Sequence, residues 1–403
     1  MPLDITRIAP QVEAMVARIR ADGIERRQRL ERALGILTGQ TADPAELEKK
    51  IAASLNRTTF LIARPVEGLG GHFPAPAVPA EFSVAASDGS QVDIDRHQSN
   101  RCYLLNTGGI VLDYDAHPNA VLNSLPRLYW RDEELAIRPA TGGGERLIEG
   151  TLLAIKRDVE ECRHLADLAA ALPPDRPALA LLDGSLIKWT LGGKEYPEFV
   201  LEELLDRGFL ACLGKMRRLN RERPLPVASY ISFPGSTDVV NALRLAVCPY
   251  DPADCDKCKE TPSGQRDCDA VAGIRDRDLF APLLAEGERS AIFGSQSSIV
   301  LKRYGPHQVY FFYLRVDDEI ARVEIPEWVA RDGERLNLTH SLILDQCRRG
   351  HGYPVALAEA HEQAVITGAD RENFQRLVEL SLAEEHLPQA ASAKSRSKKT
   401  RWI

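Results

Sequence analysis

The first part of the chain carries apolar residues at the spacing of a helix. The apolar positions that recur every three or four residues are Ile8, Val12, Met15, Val16 and Ile19. This spacing predicts an amphipathic helix, and Asp43-Pro44 is a start signal for a second helix that ends near Leu55. We therefore expect a helical region over residues 1–63 and an irregular connector, rich in proline and glycine, over residues 64–81.

From Phe82 onward, short apolar runs alternate with helical patterns. Strands are predicted over residues 82–87, 101–105, 109–113, 178–182, 226–232 and 307–316, and helices over residues 147–171, 336–350 and 355–368. The run from Ala178 to Leu182 is apolar throughout, as a strand buried on both faces requires. These elements predict an α/β fold, a mixed sheet flanked by helices, over residues 82–386, followed by a flexible basic tail over residues 387–403.

Composition and charge narrow the class of protein. The chain has 403 residues, 44% hydrophobic and 27% charged, which excludes collagen-like, disordered and coiled-coil classes. No stretch approaches the roughly 18 consecutive apolar residues of a membrane span, and no signal peptide is recognisable. We therefore expect a cytoplasmic protein. The net charge of −7 speaks against a broadly basic surface, although five cations lie within the last ten residues.

The strongest chemical signal is a duplicated tripeptide. Asp88-Gly89-Ser90 and Asp183-Gly184-Ser185 each follow an apolar strand, so each aspartate is expected at the end of its strand. Two such strands side by side would bring two carboxylates together. Paired carboxylates either share a proton or bind a hard divalent cation. Taken singly, each tripeptide is also ordinary turn chemistry.

Two further acids, Glu160 and Glu161, lie on the predicted helix that precedes the second tripeptide. If that helix packs on the sheet, one of the two carboxylates faces the aspartates. The alternative is a solvated pair on the outer face of the helix. The sequence leaves open which of the two residues belongs to the site.

Several of these segments together resemble the NurA nuclease family, whose members have an RNase H-like core and act beside the hexameric DNA translocase HerA. The matching pieces are ASDGS at 86–90, LLDGSL at 181–186, FFYLRV at 311–316, RVEIPEW at 322–328 and GYPVALAEAHEQAVI at 352–366. They occur in the family's order and span most of the predicted α/β region.

The resemblance implies a metal site. The family's metal-binding acids fall on Asp88 and Asp183, with Glu160 or Glu161 as a third acid and His361 as a further ligand. Three carboxylates and a histidine suit two divalent cations about 4 Å apart, Mn²⁺ or Mg²⁺, which promote in-line attack of water on a phosphodiester. A metal-dependent nuclease is therefore expected.

The same resemblance implies further features of the activity. Tyr353 is expected to orient substrate or water. SYISFPGST, the strand after the second tripeptide, lacks a lysine that some relatives carry, which leaves Arg244 or Lys302 as the cationic group. The family implies a homodimer that works with a HerA-like ATPase on single- or double-stranded DNA ends in end resection and double-strand break repair, as a 5′–3′ exonuclease, an endonuclease or both. Two alternatives stay open: a non-catalytic adaptor that binds DNA or a translocase on the same fold, and an RNase H- or Argonaute-like ribonuclease.

A cluster of cysteines is a second, independent signal. Cys248, Cys255, Cys258 and Cys268 lie in a polar insert over residues 248–268, which lacks the apolar residues needed to order itself by packing. Four thiolates bind Zn²⁺ tetrahedrally or hold an iron–sulfur cluster. Because only one C-x2-C pair is present, a [4Fe–4S] cluster is favoured slightly over zinc, in a structural role.

Overall fold

The computed structural model of the chain describes residues 4–55, 57–93, 102–140, 142–193, 196–259 and 266–386. These residues divide into two compact units that are both discontinuous in sequence. The first unit combines the N-terminal residues up to Ala75 with Ile231–Leu301 and Gln308–Val323. The second combines Pro76–Tyr230, Lys302–His307 and the chain from Glu324 onward.

Strands and helices alternate along most of the described chain. The strands are β1 (Arg64–Pro65), β2 (His72–Phe73), β3 (Phe82–Asp93), β4 (Tyr103–Tyr114), β5 (Asn119–Tyr129), β6 (Ala136–Ile137), β7 (Arg146–Leu147), β8 (Ala178–Asp183), β9 (Val227–Ile231), β10 (Arg289–Ser290), β11 (Phe293–Gly294), β12 (Val309–Val316) and β13 (Glu319–Pro326). The α-helices are α1 (Ile5–Leu37), α2 (Pro44–Ser54), α3 (Asp132–Leu135), α4 (Thr151–Ala171), α5 (Trp189–Gly192), α6 (Glu198–Leu201), α7 (Ala211–Glu222), α8 (Asp238–Leu243), α9 (Cys255–Lys259), α10 (Asp276–Phe280), α11 (Ser298–Arg303), α12 (Glu327–Ala330), α13 (Gly333–Arg349), α14 (Val355–Ala364) and α15 (Gly368–Glu384). A π-helical segment, Glu202–Leu210, runs between α6 and α7, and short 3₁₀ turns cover Arg244–Val247, Asp267–Ala270 and Gly305–His307.

The sheet of the second unit carries its strands in the order β9-β8-β3-β4-β5. β3, β4 and β5 are antiparallel neighbours, whereas β8 is parallel to both β3 and β9. The helix α4 connects the antiparallel strands to β8 and packs against β3 and β8. The mixed sheet flanked by helices, predicted from the sequence, is confirmed, and its strand order is that of an RNase H-like core. The run Ala178–Leu182 is fully buried, as its apolar sequence predicts.

The first unit has its own hydrophobic core and shorter strands. β11 pairs with β1 and β12, and β10 pairs with β12 and β2, all antiparallel. Its core includes Leu37 from the end of α1, Ile51 from α2, and Phe280 and Phe293 further along the chain. The prediction of an N-terminal helix is correct. Of the apolar residues that indicated it, Ile8 is only partly buried and the other four are exposed, and α1 contributes buried residues only from Ala33 onward.

The structure corrects two predictions about the strands near Asp88. The strand β3 does not end at Asp88 but continues to Asp93, because β4 pairs with it along its whole length, from Phe82↔Tyr114 to Asp93↔Tyr103. The two strands predicted over residues 101–105 and 109–113 form the single strand β4. Asp183, by contrast, is the last residue of β8, as predicted.

Two long strands were not predicted from the sequence pattern. β5 is exposed along most of its length and therefore lacks an alternation of apolar and polar residues. β13 is buried, but Arg322 and Glu324 interrupt its apolar run. Both charged side chains are accommodated by partners: Arg322 pairs with Asp238 at 3.0 Å, and Glu324 accepts a hydrogen bond from Ser185 at 2.8 Å.

No helix of the described part of the chain is long and apolar enough to cross a membrane. The predicted basic tail over residues 387–403 lies outside the described residues.

Candidate active site

The two aspartates of the duplicated tripeptide lie on neighbouring parallel strands. The register of β3 and β8 runs from Ser83↔Ala178 to Ser87↔Leu182, and Asp88 and Asp183 each follow the last pair by one residue. Neighbouring strands are about 4.8 Å apart, and residues in register on parallel strands point to the same face. The geometry therefore brings the two carboxylates together, and the negative charge of Asp88 contributes to a raised pKa of Asp183.

The turn after β8 fixes the carboxylate of Asp183. Gly184 has a φ of +76°, a conformation that favours glycine, and its backbone N–H donates to Asp183 Oδ1 at 2.9 Å. The next residue, Ser185, donates from Oγ to Glu324, which also accepts the backbone N–H of Leu186 at 2.9 Å. The second tripeptide is thus both a strand end and a hydrogen-bonded turn.

The packing of α4 on the sheet shows which of the two glutamates lies near the aspartates. The backbone carbonyl of Glu161 accepts a hydrogen bond from Ser87 Oγ at 2.8 Å, so Glu161 lies against β3. A Cβ atom on Gly89 would come within 2.6 Å of Glu161 Oε1. The glycine of the first tripeptide therefore leaves the space into which the Glu161 side chain projects.

Glu160 faces a different part of the second unit. Its carboxylate forms ion pairs with Lys156 at 2.7 Å and with Arg163 at 2.6 Å, both on the same helix. Burial disfavours its charge, yet these two cations hold the pKa of Glu160 below its usual value. The structure therefore groups Glu161, and not Glu160, with Asp88 and Asp183.

His361 reaches the site from α14. Its Nδ1 atom lies 2.7 Å from Asp88 Oδ2, and its side chain is largely exposed, so this side of the site is open to solvent. The close packing of α14 on β4 depends on Gly108, the register partner of Asp88, because a Cβ there would lie 2.3 Å from the carbonyl oxygen of Ala360. Asn106 further holds the end of α14 through its Nδ2, which donates to the carbonyl of Ala364 at 3.0 Å.

Tyr353 lies immediately before α14 and hydrogen-bonds to Asp183. Its ring packs edge-on against Tyr230, with 5.6 Å between ring centroids. Burial and the negative charge of Asp183 raise the pKa of Tyr353 well above its usual range, so the phenol stays protonated and donates to the carboxylate.

The site holds more negative charge than its surroundings readily accommodate. Burial, followed by the charges of Asp158 and Asp88, raises the pKa of Glu161. Asp183 reaches the surface, yet the surrounding protein removes enough water for burial to be the main cause of its raised pKa, with Asp88 adding to it. Closely spaced carboxylates that raise one another's pKa form an environment that a divalent cation would stabilise.

Sequence reasoning missed the cations of this site. Lys188 is buried, and its Nζ donates to Asp158 Oδ2 at 2.9 Å and to the backbone carbonyl of Ser185 at 3.2 Å. Arg157 Nε lies 2.9 Å from Glu161 Oε1. The only available signal was position: Lys188 follows the second tripeptide by three residues, and Arg157 and Asp158 lie on α4 within one turn of Glu161.

The two cationic groups predicted from the sequence, Arg244 and Lys302, belong to different units. Arg244 belongs to the first unit, where it pairs with Asp269 at 2.9 Å. Lys302 is exposed near the end of α11. Lys188 reaches back from the turn after β8 to Asp158 on α4.

The donor types of the site fit a hard divalent cation, since Asp88, Glu161 and Asp183 supply carboxylate oxygens and His361 supplies an imidazole nitrogen. Their present arrangement is not a closed coordination sphere. Within the ranges that the structure describes, no group of three or more His, Cys, Asp or Glu side chains is placed so that it could hold a metal ion. A metal ion held by these residues would therefore require their side chains to move.

The four clustered cysteines lie in the first unit and not in the unit that carries the acids. None of the four forms a disulfide bond within the described residues. Cys255 and Cys268 are buried, and Cys248 and Cys258 are partly buried.

The sheet carries an aspartate on each of two neighbouring parallel strands, and the helix between those strands carries Glu161. The family model described as the NurA domain matches residues 82–366, which is more than half of the chain. The chain therefore belongs to the NurA family, a family of nucleases that act on DNA and serve in DNA repair. A comparison with curated proteins finds no match.

Proposed function

We propose that this protein is a divalent-metal-dependent nuclease that hydrolyses the phosphodiester bonds of DNA, as a 5′–3′ exonuclease, an endonuclease or both. The observation that carries the proposal is that Asp88 and Asp183 lie in register on neighbouring strands, in contact with His361 and Tyr353 respectively, while Glu161 lies on the helix α4 that packs against β3. A non-catalytic adaptor has no need of mutually repelling carboxylates at this position.

The roles of the residues follow from their contacts. Asp88, Glu161, Asp183 and His361 would hold Mn²⁺ or Mg²⁺, which would activate water and offset the charge of the phosphate. Tyr353 keeps the Asp183 carboxylate oriented by donating a hydrogen bond to it. The open side, marked by the exposed His361, is where the DNA strand enters.

Lys188 provides a fixed positive charge behind the acids. Its buried ammonium is held by Asp158 and by the carbonyl of Ser185. It also lies 4.4 Å from the centre of the Phe209 ring, which limits its movement. We assign it the role of a positioning residue, which keeps Asp158 in place one turn before Glu161 on α4.

The partners are proposed from membership of the family. The protein would act as a homodimer with a HerA-like hexameric ATPase that drives DNA ends to the site during end resection in double-strand break repair. The net charge of −7 suits contact with DNA through a limited groove better than through a broadly basic surface.

The experiment that tests this function is cleavage of end-labelled DNA by the purified full-length protein. Single- and double-stranded DNA and an RNA of the same sequence are incubated with Mn²⁺, with Mg²⁺ or with EDTA. We expect cleavage of DNA with Mn²⁺ or Mg²⁺ and none with EDTA. Stronger cleavage of RNA would favour a ribonuclease, and binding without cleavage of any substrate would favour the adaptor.

A further inference from the structure

The four clustered cysteines lie on short elements that converge in the first unit. Cys248 follows the 3₁₀ turn Arg244–Val247, and Cys268 lies in the 3₁₀ turn Asp267–Ala270. These two turns pack against each other. Cys255 and Cys258 lie three residues apart on α9, and so on one face of that helix. These elements are too short to be stable in isolation.

Hydrogen bonds tie this region to the N-terminal helical part of the same unit. Lys50 Nζ donates to the backbone carbonyl of Cys248 at 2.6 Å, and the backbone N–H of Ala253 donates to Ser54 Oγ at 2.9 Å. The backbone segment that carries the cysteines is therefore fixed at more than one point, although its sequence is polar.

A cation lies beside one of the four thiols. The buried Arg244 donates from Nη2 to Cys268 Sγ at 3.2 Å and to Asp269 at 2.9 Å, and its guanidinium lies 4.0 Å from the centre of the Phe60 ring. Among the described residues, Arg244 Nε is buried and has no hydrogen-bond partner. A guanidinium that donates to sulfur and keeps an unused donor suits a negatively charged group of thiolates better than four neutral thiols.

The thiols also interact with one another. Cys258 lies within electrostatic range of Cys248, Cys255 and Cys268. The four groups are thus close enough to interact, although in the described residues they are not yet arranged as metal ligands. Rotation of cysteine side chains, beginning with the partly buried Cys248 and Cys258, is the movement that would close a site.

We propose that Cys248, Cys255, Cys258 and Cys268 bind one metal centre through four thiolates, either Zn²⁺ or a [4Fe–4S] cluster, and that Arg244 is its hydrogen-bond donor. Each thiol gives up its proton to solvent when it becomes a ligand, and no change in oxidation state of the protein is involved. The centre would brace the polar insert against α2. Its ligands belong to the first unit, whereas the carboxylates belong to the second.

The test measures the metal content of the full-length protein, purified without oxygen and then dialysed against EDTA to remove cations from the carboxylate site. Elemental analysis is expected to give either about one zinc per chain or about four iron per chain, the latter with an absorbance band near 400 nm. Cys258→Ser is expected to lose this metal. Cys347→Ser, at a buried cysteine of α13 in the other unit, is the matched control and is expected to retain it.

Two further measurements keep the proposal testable if Cys258→Ser does not fold. Arg244→Gln leaves all four thiols in place and is expected to lower metal retention against a competing chelator by about 10- to 100-fold. In the wild-type protein, reagent-accessible thiols are expected to increase by about four when a strong chelator removes the metal. Absence of stoichiometric zinc and iron from the wild-type protein, or an unchanged metal content in Cys258→Ser, overturns the proposal; neither result bears on nuclease activity.

Discussion

Glu160 and Glu161 are adjacent in sequence, yet the structure gives them opposite environments. Glu161 lies beside Asp88 and Asp158, whose charges, together with burial, disfavour its ionised form. Glu160 is stabilised by Lys156 and Arg163. We therefore expect opposite effects when each glutamate is replaced by glutamine. The Glu161 variant should lose DNA cleavage, and the Glu160 variant should lose stability.

Glu161→Gln removes a carboxylate from the site and also removes a charge repulsion. Two unit charges about 4 Å apart interact by about 4 kcal/mol at an effective dielectric constant of about 20, and Arg157 and Lys188 offset part of this. We therefore expect the variant to be as stable as the wild type or more stable by about 1–2 kcal/mol. We also expect its DNA cleavage to fall by at least about 100-fold, as when a catalytic geometry is disturbed.

Glu160→Gln is the matched control on the next residue. It leaves Lys156 and the half-exposed Arg163 without their partner, and we expect a loss of about 1–2 kcal/mol, well below the cost of breaking a fully buried pair. Its cleavage rate is expected to stay within about two-fold of the wild type, since nothing at the acids has changed.

The two variants are compared by urea denaturation in EDTA and by release of a 5′ label from DNA in Mn²⁺. Loss of cleavage in a folded Glu160→Gln protein, together with normal cleavage by Glu161→Gln, would refute the assignment of Glu161 to the site. A Glu161→Gln protein that is markedly less stable than the wild type would refute the electrostatic part of the reasoning.

Three further predictions concern the surroundings of the acids and the core of the first unit. Gly89→Ala places a methyl group 2.6 Å from Glu161 Oε1 and is expected to lower cleavage by about 100-fold, whereas Gly144→Ala, with open space around it, leaves cleavage unchanged in the same label-release assay. Lys188→Met removes a buried positioning charge and is expected to lower kcat by about 10-fold with little change in KM for DNA; an unaltered kcat contradicts the assigned role. Burial raises the pKa of Asp276 to about 6, so protonation of Asp276 stabilises the folded state, and this stabilisation is lost as the pH rises through 6. Relative to Asp276→Asn, the free energy of unfolding of the wild type in urea is expected to rise by about 1.4 kcal/mol when the pH is lowered from 7.5 to 5. A fall in this free energy over the same pH range would contradict the raised pKa.

The approach of the two aspartates was predictable from the sequence because parallel strands impose it. Each tripeptide follows a strand of the sheet, and residues in register on parallel neighbours share a face. The continuation of β3 past Asp88 was not predictable, since it depends on its antiparallel pairing with β4 over twelve residues. The same tripeptide, Asp-Gly-Ser, lies inside β3 and at the end of β8, so the tripeptide alone does not indicate where a strand ends.

The rest of the site depends on tertiary contacts that leave weak signals in sequence. Glu160 and Glu161 each have a basic residue four positions earlier on α4, so local pairing does not distinguish them; the packing of α4 on β3 does. From the sequence alone, Lys188 is expected to be a solvent-exposed lysine after a turn. In the structure it is buried, and its ammonium group donates to the carboxylate of Asp158.

The central claim is that DNA is hydrolysed at the carboxylates of Asp88, Asp183 and Glu161. The most direct test is the rate of Mn²⁺-dependent cleavage of end-labelled DNA by Asp183→Asn, compared with Asp175→Asn on the exposed turn before β8. We predict a loss of at least about 100-fold for Asp183→Asn, with far-UV circular dichroism unchanged, and a rate within about two-fold of the wild type for Asp175→Asn. Cleavage by a folded Asp183→Asn protein at the wild-type rate would contradict the account.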